Sequence, residues 1–397
     1  FRPTGKTVAN PMKLLPSVAI YGKNGGGKSN VIRAFWLAVQ FIRNAQRTQH
    51  ENASIPMRPF LLDDDSAEKP SEFEFHYVCD GVKYCYGFAA TKERITKEYL
   101  YHAPKGQRAR VFTREGQEIQ FSETADKKKR QMISEAVAAN QLYFAVDAMR
   151  WFRECVFFSR DYTDIPEQLI NYSEDANMLH AISDYAKMAD VGIQDMQFEV
   201  KNTELSVADT LPSNLPEDIK SALTQFMKAL SDAPNVSETR LRMGEVNAVS
   251  LHQGVDGTGN PKLYQLQLAD ESDGTRKLMA LAPAIERVLN CGGVLLVDEL
   301  EKEMHPMLVE LVVSKFQSPK SNPNHAQLIF TTHNTELLSM EVLRKDQLYF
   351  VDKDREDGAS ELYSISEFAT PTSENVRKSY LMGKYGATPN LMIEEVD

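Results

Sequence analysis

The chain has 397 residues, 42% of them hydrophobic, with a formal net charge of -11. That length allows one large domain or two with a substantial core, and the acidic balance argues against a surface coated in positive charge for non-specific nucleic-acid binding. The four cysteines, Cys79, Cys85, Cys155 and Cys291, show no paired spacing with histidines and read as ordinary thiols of a reducing compartment. No segment approaches a membrane span and no N-terminal signal is visible, so a cytoplasmic location and no membrane partner are expected.

The chain opens at Phe1, and the strand that commonly starts a nucleotide-binding sheet is expected to precede it. Residues 17 to about 45 predict a strand, a tight loop and a helix. In "SVAIYGKNGGGKSNVIRAFW" the apolar run Val18 to Tyr21 leads into a glycine-rich stretch, and Val31, Ile32, Phe35, Trp36 and Val39 are spaced for one buried helix face. From Glu72, "EFEFHYVCDGVKYCYGFAA" alternates and turns at Asp80-Gly81, and "ARVFTREGQEIQF" turns again at Glu115-Gly116, which predicts an antiparallel meander. A basic run, Lys97 to Arg130, sets nine Lys/Arg against five Asp/Glu and ends in "KKKR". It reads as a solvated loop or helix start, with a local nucleic-acid contact as the sharper alternative.

Residues 131–190 lean helical, with Met178, Leu179, Ile182 and Tyr185 on one stripe. "IQDMQFEV" then alternates as a strand, and 202–243 reads as linker, helix, linker. No heptad repeat is sustained, so no long coiled-coil arm is expected. Strands return at Lys262 ("KLYQLQLA"). A loop feeding a helix follows ("ESDGTRKLMALAPAIERVL"), and then three apolar strands: "GGVLLVDEL", "AQLIFTTHN" and "DQLYFVDKD". Short apolar strands alternating with helices indicate an α/β layer fold.

Gly22, Gly27, Lys28 and Ser29 satisfy G-x-x-x-x-G-K-S between a predicted strand and a predicted helix. Gly22, Lys23, Asn24, Gly25, Gly26, Gly27, Lys28, Ser29 and Asn30 would turn backbone N–H groups toward an anion at a helix start. Lys28 would reach the β- and γ-phosphates and Ser29 would sit on Mg2+. Val294 to Val297 predicts a buried strand that delivers Asp298 and Glu299 to a sheet edge. Asp298 would hold Mg2+ with Ser29, and Glu299 would orient and deprotonate the attacking water. Adjacent side chains on a regular strand point opposite ways, so the chain is expected to leave the strand there. His333 after "IFTT" is placed to donate to the γ-phosphate or the lytic water. Ser272 and Gly274 precede a helix beginning near Thr275; on spacing alone they read as a helix cap, with a phosphate grip as the alternative. His305 precedes Pro306, which reads as a first helical turn.

With these motifs the chain resembles the ABC-type ATPase superfamily, and within it the RloA/AbiL-like ATPases of bacterial anti-phage and abortive-infection systems. Gly22–Ser29 is similar to Walker A and Val294–Glu299 to Walker B with its catalytic glutamate. Glu271–Thr275 is similar to a divergent signature motif, Leu300–Pro306 to the D-loop region and His333 to the switch histidine. The tail segments "LRKDQLYFVDKDREDGASELYSISEF" and "YLMGKYGATPN" resemble this branch in particular. The resemblance implies an α/β P-loop NTPase of the ABC-type head, with an antiparallel β subdomain and a helical insertion. The parts would be 1–130 and 256–397 as the two portions of the head and 131–255 as a mostly helical insertion.

It further implies an ATP- and Mg2+-dependent ATPase that forms a homodimer through an ATP sandwich, in which Ser272 and Gly274 of one subunit cap ATP on Gly22–Ser29 of the other. A higher oligomer is compatible with this. A separately encoded nuclease or toxin effector is the implied partner. Two departures stand out. No Gln lies near Pro59-Phe60, so Mg2+ would rely on Ser29, Asp298 and water. Asp273 separates Ser272 from Gly274 where the family has a double glycine. The alternative function is a DNA-binding repair or recombination ATPase of the SMC/RecF-like class. A third reading, an intrinsic nuclease using Asp352 and Asp354, lacks a distant acidic partner.

Overall fold

The computed structural model describes residues 14–44, 54–104, 106–122, 137–143, 149–158, 169, 171–190, 192–204, 242–339, 342–368 and 374–388. The chain divides into two compact units, Phe1–Asp161 with Ala284–Asp397, and Tyr162–Pro283.

The first unit is built on β1 (Ser17–Tyr21), whose two faces are both covered, as the apolar run Val18–Tyr21 requires. The loop after β1 opens α1 (Lys28–Asn44). A meander follows: β2 (Ser71–Cys79), β3 (Val82–Ala90), β4 (Ile95–Ala103), β5 (Ala109–Glu115) and β6 (Glu118–Phe121). These strands pair antiparallel in chain order as a five-stranded sheet. The β2–β3 turn places Asp80 and Gly81 at φ 49° and 77°, the left-handed pair that a two-residue hairpin loop demands.

After the short helix α2 (Arg150–Arg153) comes β7 (Cys155–Phe158). The second unit holds α3 (Ala176–Ala189) and a three-stranded antiparallel sheet of β8 (Ile193–Glu204), β9 (Arg242–Val255) and β10 (Pro261–Gln267), with β9 in the middle. The boundary between the units falls within α4 (Asp273–Cys291), at Pro283. The first unit then continues with β11 (Val294–Val297), α5 (Pro306–Gln317), β12 (Gln327–Thr331), β13 (Leu348–Lys353), β14 (Ser360–Ser364) and α6 (Val376–Leu381).

The central sheet has the order β14-β13-β1-β12-β11-β7. All its pairs are parallel except β13–β14. One strand, β12, therefore stands between the strand that leads into the glycine loop and the strand that ends in the acids. The architecture is mixed α/β and consistent with a P-loop NTPase. α1 joins the two sheets of this unit: Ile32, Val39, Phe41 and Ile42 enter a core shared with Phe75, Tyr86 and Phe88 of the meander and Leu296 of β11. Phe35 and Phe75 meet edge to face at 5.4 Å.

Several expectations change in three dimensions. Trp36, expected on the buried face of α1, is 46% exposed. The covered stripe runs through Ile32, Phe35, Val39 and Ile42, and Trp36 lies off it. Within the helix-leaning stretch 131–190, Cys155–Phe158 is a strand, because β11 offers an open parallel edge (Val294↔Cys155 to Val297↔Phe158). The described part of 131–255 contains β7, α3 and the long strands β8 and β9; the helix expected within 202–243 lies mostly in 205–241, outside the described residues.

The basic run loses one of its cations to the interior. Arg114 is fully buried, pairs with Glu98 at 3.5 Å, and donates to the carbonyls of Gly116, Ala138 and Gln141. Tyr86 Oη and Tyr143 N also donate to Glu98. The buried pair thereby ties residues 138–143 to the meander. "KKKR" (127–130) lies outside the described residues.

Candidate functional site

The site assembles at the carboxyl edge of the parallel strands in the first unit. β1 ends at Tyr21, the loop turns, and Lys28 already lies in the first turn of α1. Two glycines are demanded there for different reasons. A Cβ on Gly22 would stand 2.5 Å from the Val351 carbonyl oxygen, so β13 could not approach. Gly27 has φ +109°, outside the range open to L side chains, and a Cβ there would meet Ser360 Oγ at 2.8 Å. Gly26 N donates to Lys23 O at 3.1 Å and closes the turn.

Lys28 Nζ folds back onto the loop, donating to Gly22 O at 2.8 Å and Lys23 O at 3.3 Å. Burial pulls its ammonium below the usual lysine value, against the opposing pull of Glu299, Glu301 and Asp298. Lys23 is anchored outward by Asp352 Oδ1 at 2.8 Å and Lys353 O at 3.3 Å.

Across the cleft, β11 ends at Val297 and the chain leaves the strand with Asp298 and Glu299. Glu299 has φ +52°, a left-handed backbone rare for such a residue. Ser29 Oγ donates to Asp298 Oδ1 at 3.1 Å, although 269 positions separate them. Thr331 at the end of β12 ties the pair together: its hydroxyl donates to Asp298 Oδ1 at 2.7 Å and accepts from Glu299 N at 2.7 Å. His333 N donates to Glu301 Oε1. Burial, followed by the charge of Lys28, holds the His333 imidazole below its usual pKa, which keeps the ring neutral at neutral pH.

A cleft of about 410 Å³ is lined by Lys23, Asn24, Gly25, Gly27, Lys28, Ser29, Asn30, Glu299 and His333. The glycine loop, Lys28, Ser29, Glu299 and His333 thus converge on one opening, and Ser29 carries Asp298 beside it. Gly22 and Gly26 lie in the loop itself, packed toward Val351.

The residues fit a hard divalent cation. Octahedral Mg2+–O bonds of about 2.0–2.1 Å put neighbouring ligand oxygens about 2.9 Å apart, close to the Ser29–Asp298 separation of 3.1 Å. Glu301 Oε2 is buried and without a hydrogen-bond partner. The charges of Glu299, Glu301 and Asp298 all act on Lys28, while Lys23 is engaged by Asp352, so an anion brought there calls for added positive charge.

The remaining expected residues have local roles. Ser272 caps α4, its hydroxyl accepting from Thr275 N at 3.1 Å, and the helix starts at Asp273, so Gly274 lies inside the first turn rather than before it. His305 caps α5, with Pro306 in the first turn. Asp352 is engaged by Lys23, and Asp354 accepts from Glu356 N and Asp357 N to close the β13–β14 turn. No motif marks the roles of Thr331, Glu301 or the Lys23–Asp352 pair. The two threonines before His333 were the visible sign of the first.

A family model described as "AAA domain, putative AbiEii toxin, Type IV TA system" matches residues 17–339, from β1 past His333. The chain belongs to this family. Membership in this AAA-domain family supports ATP binding and nucleotide hydrolysis in general, and links the chain to toxin–antitoxin systems. Among curated proteins, the "Retron Vc95 probable ATPase" of Vibrio cholerae serotype O1 biovar El Tor is 26% identical over 133 residues, 32% of this chain. The match spans 24% of that relative's length, about a quarter. Among the described residues, no helix is long and apolar enough to cross a membrane.

Proposed function

We propose that the chain is a Mg2+-dependent ATPase whose nucleotide state switches a dimer that gates a separate effector in an anti-phage or toxin–antitoxin system. The observation that carries the enzymatic part is the contact between Ser29 Oγ and Asp298 Oδ1 at 3.1 Å beside Lys28. The loop N–H groups and the start of α1 would hold the β- and γ-phosphates. Lys28 would exchange its bonds to Gly22 O and Lys23 O for phosphate oxygens. Ser29 and Asp298 would hold Mg2+, which when bound neutralises charge on the phosphate oxygens. Glu299 would orient and deprotonate the attacking water, and the neutral His333 would donate to the γ-phosphate or that water.

The dimer, the ABC-type sandwich and the RloA/AbiL-like assignment are the finer part of the proposal. They are supported by the resemblance of Glu271–Thr275 to a signature motif and of His333 to a switch histidine. In that reading Ser272 and Gly274 act across the dimer. The effector is proposed from the family's description and the defence-system resemblance.

The deciding experiment is Glu299→Gln. The variant should bind ATP as tightly as the wild type, turn over at least 100-fold more slowly, and accumulate as dimers on size exclusion with ATP. Unchanged hydrolysis would remove Glu299 from the mechanism. Co-purification of the variant from cells then separates the partners: a stable complex with a neighbouring gene product supports the gate, whereas salt-sensitive DNA binding by the chain alone supports the repair-type alternative.

A further inference from the structure

A second cluster of chemistry-bearing side chains lies away from the nucleotide cleft, on the meander. Strand pairing sets His76 of β2 directly opposite Cys85 of β3, and Glu74 opposite Gly87. Residues two apart on a strand share a face, so a carboxylate, an imidazole and a thiol are gathered on one side of a hydrogen-bonded sheet. Their ligand atoms all lie within 4.8 Å of one another, and among the described residues no other group of three His, Cys, Asp or Glu does this.

The separations match a small coordination polyhedron. Zn–S of about 2.3 Å and Zn–N or Zn–O of about 2.0–2.1 Å with tetrahedral angles give sulfur-to-nitrogen and sulfur-to-oxygen edges of about 3.5–3.6 Å. Cys85 Sγ stands 3.6 Å from Glu74 Oε2 and 3.9 Å from His76 Nε2. His76 Nε2 also holds the other carboxylate oxygen, Glu74 Oε1, in a hydrogen bond of 2.7 Å that a cation would open.

An outer layer supports the three. Gly87 leaves a notch opposite Glu74 that the Tyr99 ring fills; a Cβ there would lie 2.3 Å from the Tyr99 hydroxyl. Through this notch Tyr99 Oη donates to Glu74 Oε2, which fixes the carboxylate. Arg108, lying over the Tyr101 ring at 3.9 Å, donates to Cys85 Sγ at 3.7 Å and so holds the sulfur in place. Cys85 is buried while Glu74 and His76 are exposed, so the fourth position opens on water.

We propose that Glu74, His76 and Cys85 form a binding site for a borderline divalent d-block cation, Zn2+ in the first instance. One thiolate, one imidazole and one carboxylate is the donor set such an ion takes in preference to Mg2+. The site is separate from the Ser29–Asp298 pair, whose donors are all oxygen. On binding, the Cys85 thiol releases its proton to solvent as the metal–sulfur bond forms. The ion would staple the β2–β3 hairpin.

The test uses the full chain, stripped with chelator and titrated without nucleotide or Mg2+. Zn2+ is followed by calorimetry and Co2+ by its absorption. The expected result is one equivalent bound, with a sulfur-to-cobalt charge-transfer band that Cys85→Ser deletes. His76→Ala should weaken binding by about tenfold or more, and Tyr99→Phe should weaken it about tenfold while keeping the band. His76 is exposed, so its variant tests the site even if Cys85→Ser does not fold. Absence of saturable one-to-one binding, a Co2+ spectrum without the sulfur band, or binding unchanged by His76→Ala each overturns the assignment.

Discussion

Thr331 ties Asp298 to Glu299 behind the cleft, and replacing it by the near-isosteric valine isolates its hydroxyl. Thr331 is fully buried, and its hydroxyl both donates to Asp298 and accepts from Glu299 N, each at 2.7 Å. Losing a hydrogen bond to a charged group costs about 1.5–3 kcal/mol, and orphaning a partly buried N–H adds about 1–3 kcal/mol. The two losses share one side chain and partly overlap, so a total of about 3 kcal/mol is expected for Thr331→Val. The second loss also touches catalysis. Glu299 sits at φ +52°, a conformation that costs roughly 1–2 kcal/mol in a non-glycine residue and is held by the bond to Thr331. Without that bond the backbone relaxes and the carboxylate leaves its position over the cleft. If the whole 3 kcal/mol is expressed in the transition state, kcat falls about 100-fold. Phosphate-release kinetics at saturating Mg2+ and ATP give kcat, calorimetry gives nucleotide affinity, and a thermal melt gives the share lost to stability. Thr331→Ser keeps the hydroxyl and should restore most of the rate. A folded Thr331→Val protein hydrolysing ATP at the wild-type rate would refute the reasoning.

Lys28→Ala should lose nucleotide binding; calorimetry showing unchanged affinity would remove Lys28 from the phosphate site. Gly27→Ala places a Cβ 2.8 Å from Ser360 Oγ at φ +109° and should cost about 1–3 kcal/mol of stability together with nucleotide affinity; a melt and a binding isotherm indistinguishable from wild type would contradict the loop geometry. Burial pushes the Glu98 carboxyl up from 4.5 to about 7, so the folded form holds this proton more tightly than the unfolded form. Its stabilising contribution is then full below pH 4.5 and lost as pH rises through 7; denaturant unfolding across that window should show stability falling with pH, with the slope reduced in Glu98→Gln.

Much of the site was legible because its signals are local. A loop that must present N–H groups needs glycine at set positions, and a buried strand ending in acids announces itself by an apolar run followed by Asp298 and Glu299. What was not legible depends on partners distant in sequence. Cys155–Phe158 carries too few residues to mark a strand and becomes one beside β11. The exposure of Trp36 follows from the direction in which α1 meets the meander. Arg114 reads as one cation in a basic run until Glu98 and three backbone carbonyls enclose it.

The amino-acid order alone therefore determined the chemistry on offer: a glycine loop before a helix, a serine hydroxyl and an aspartate, a candidate base and a histidine, each on a predictable kind of element. Only the tertiary structure decided which of these meet. Parallel pairing on both sides of β12 brings Ser29 to Asp298, and the end of β12 supplies the hydroxyl that orders the acids. The register of β2 with β3 gathers Glu74, His76 and Cys85 from either side of a turn. The physical reason is that strand register sets distances between side chains far apart in the chain, and register is settled by burial of the whole sheet rather than by any one motif.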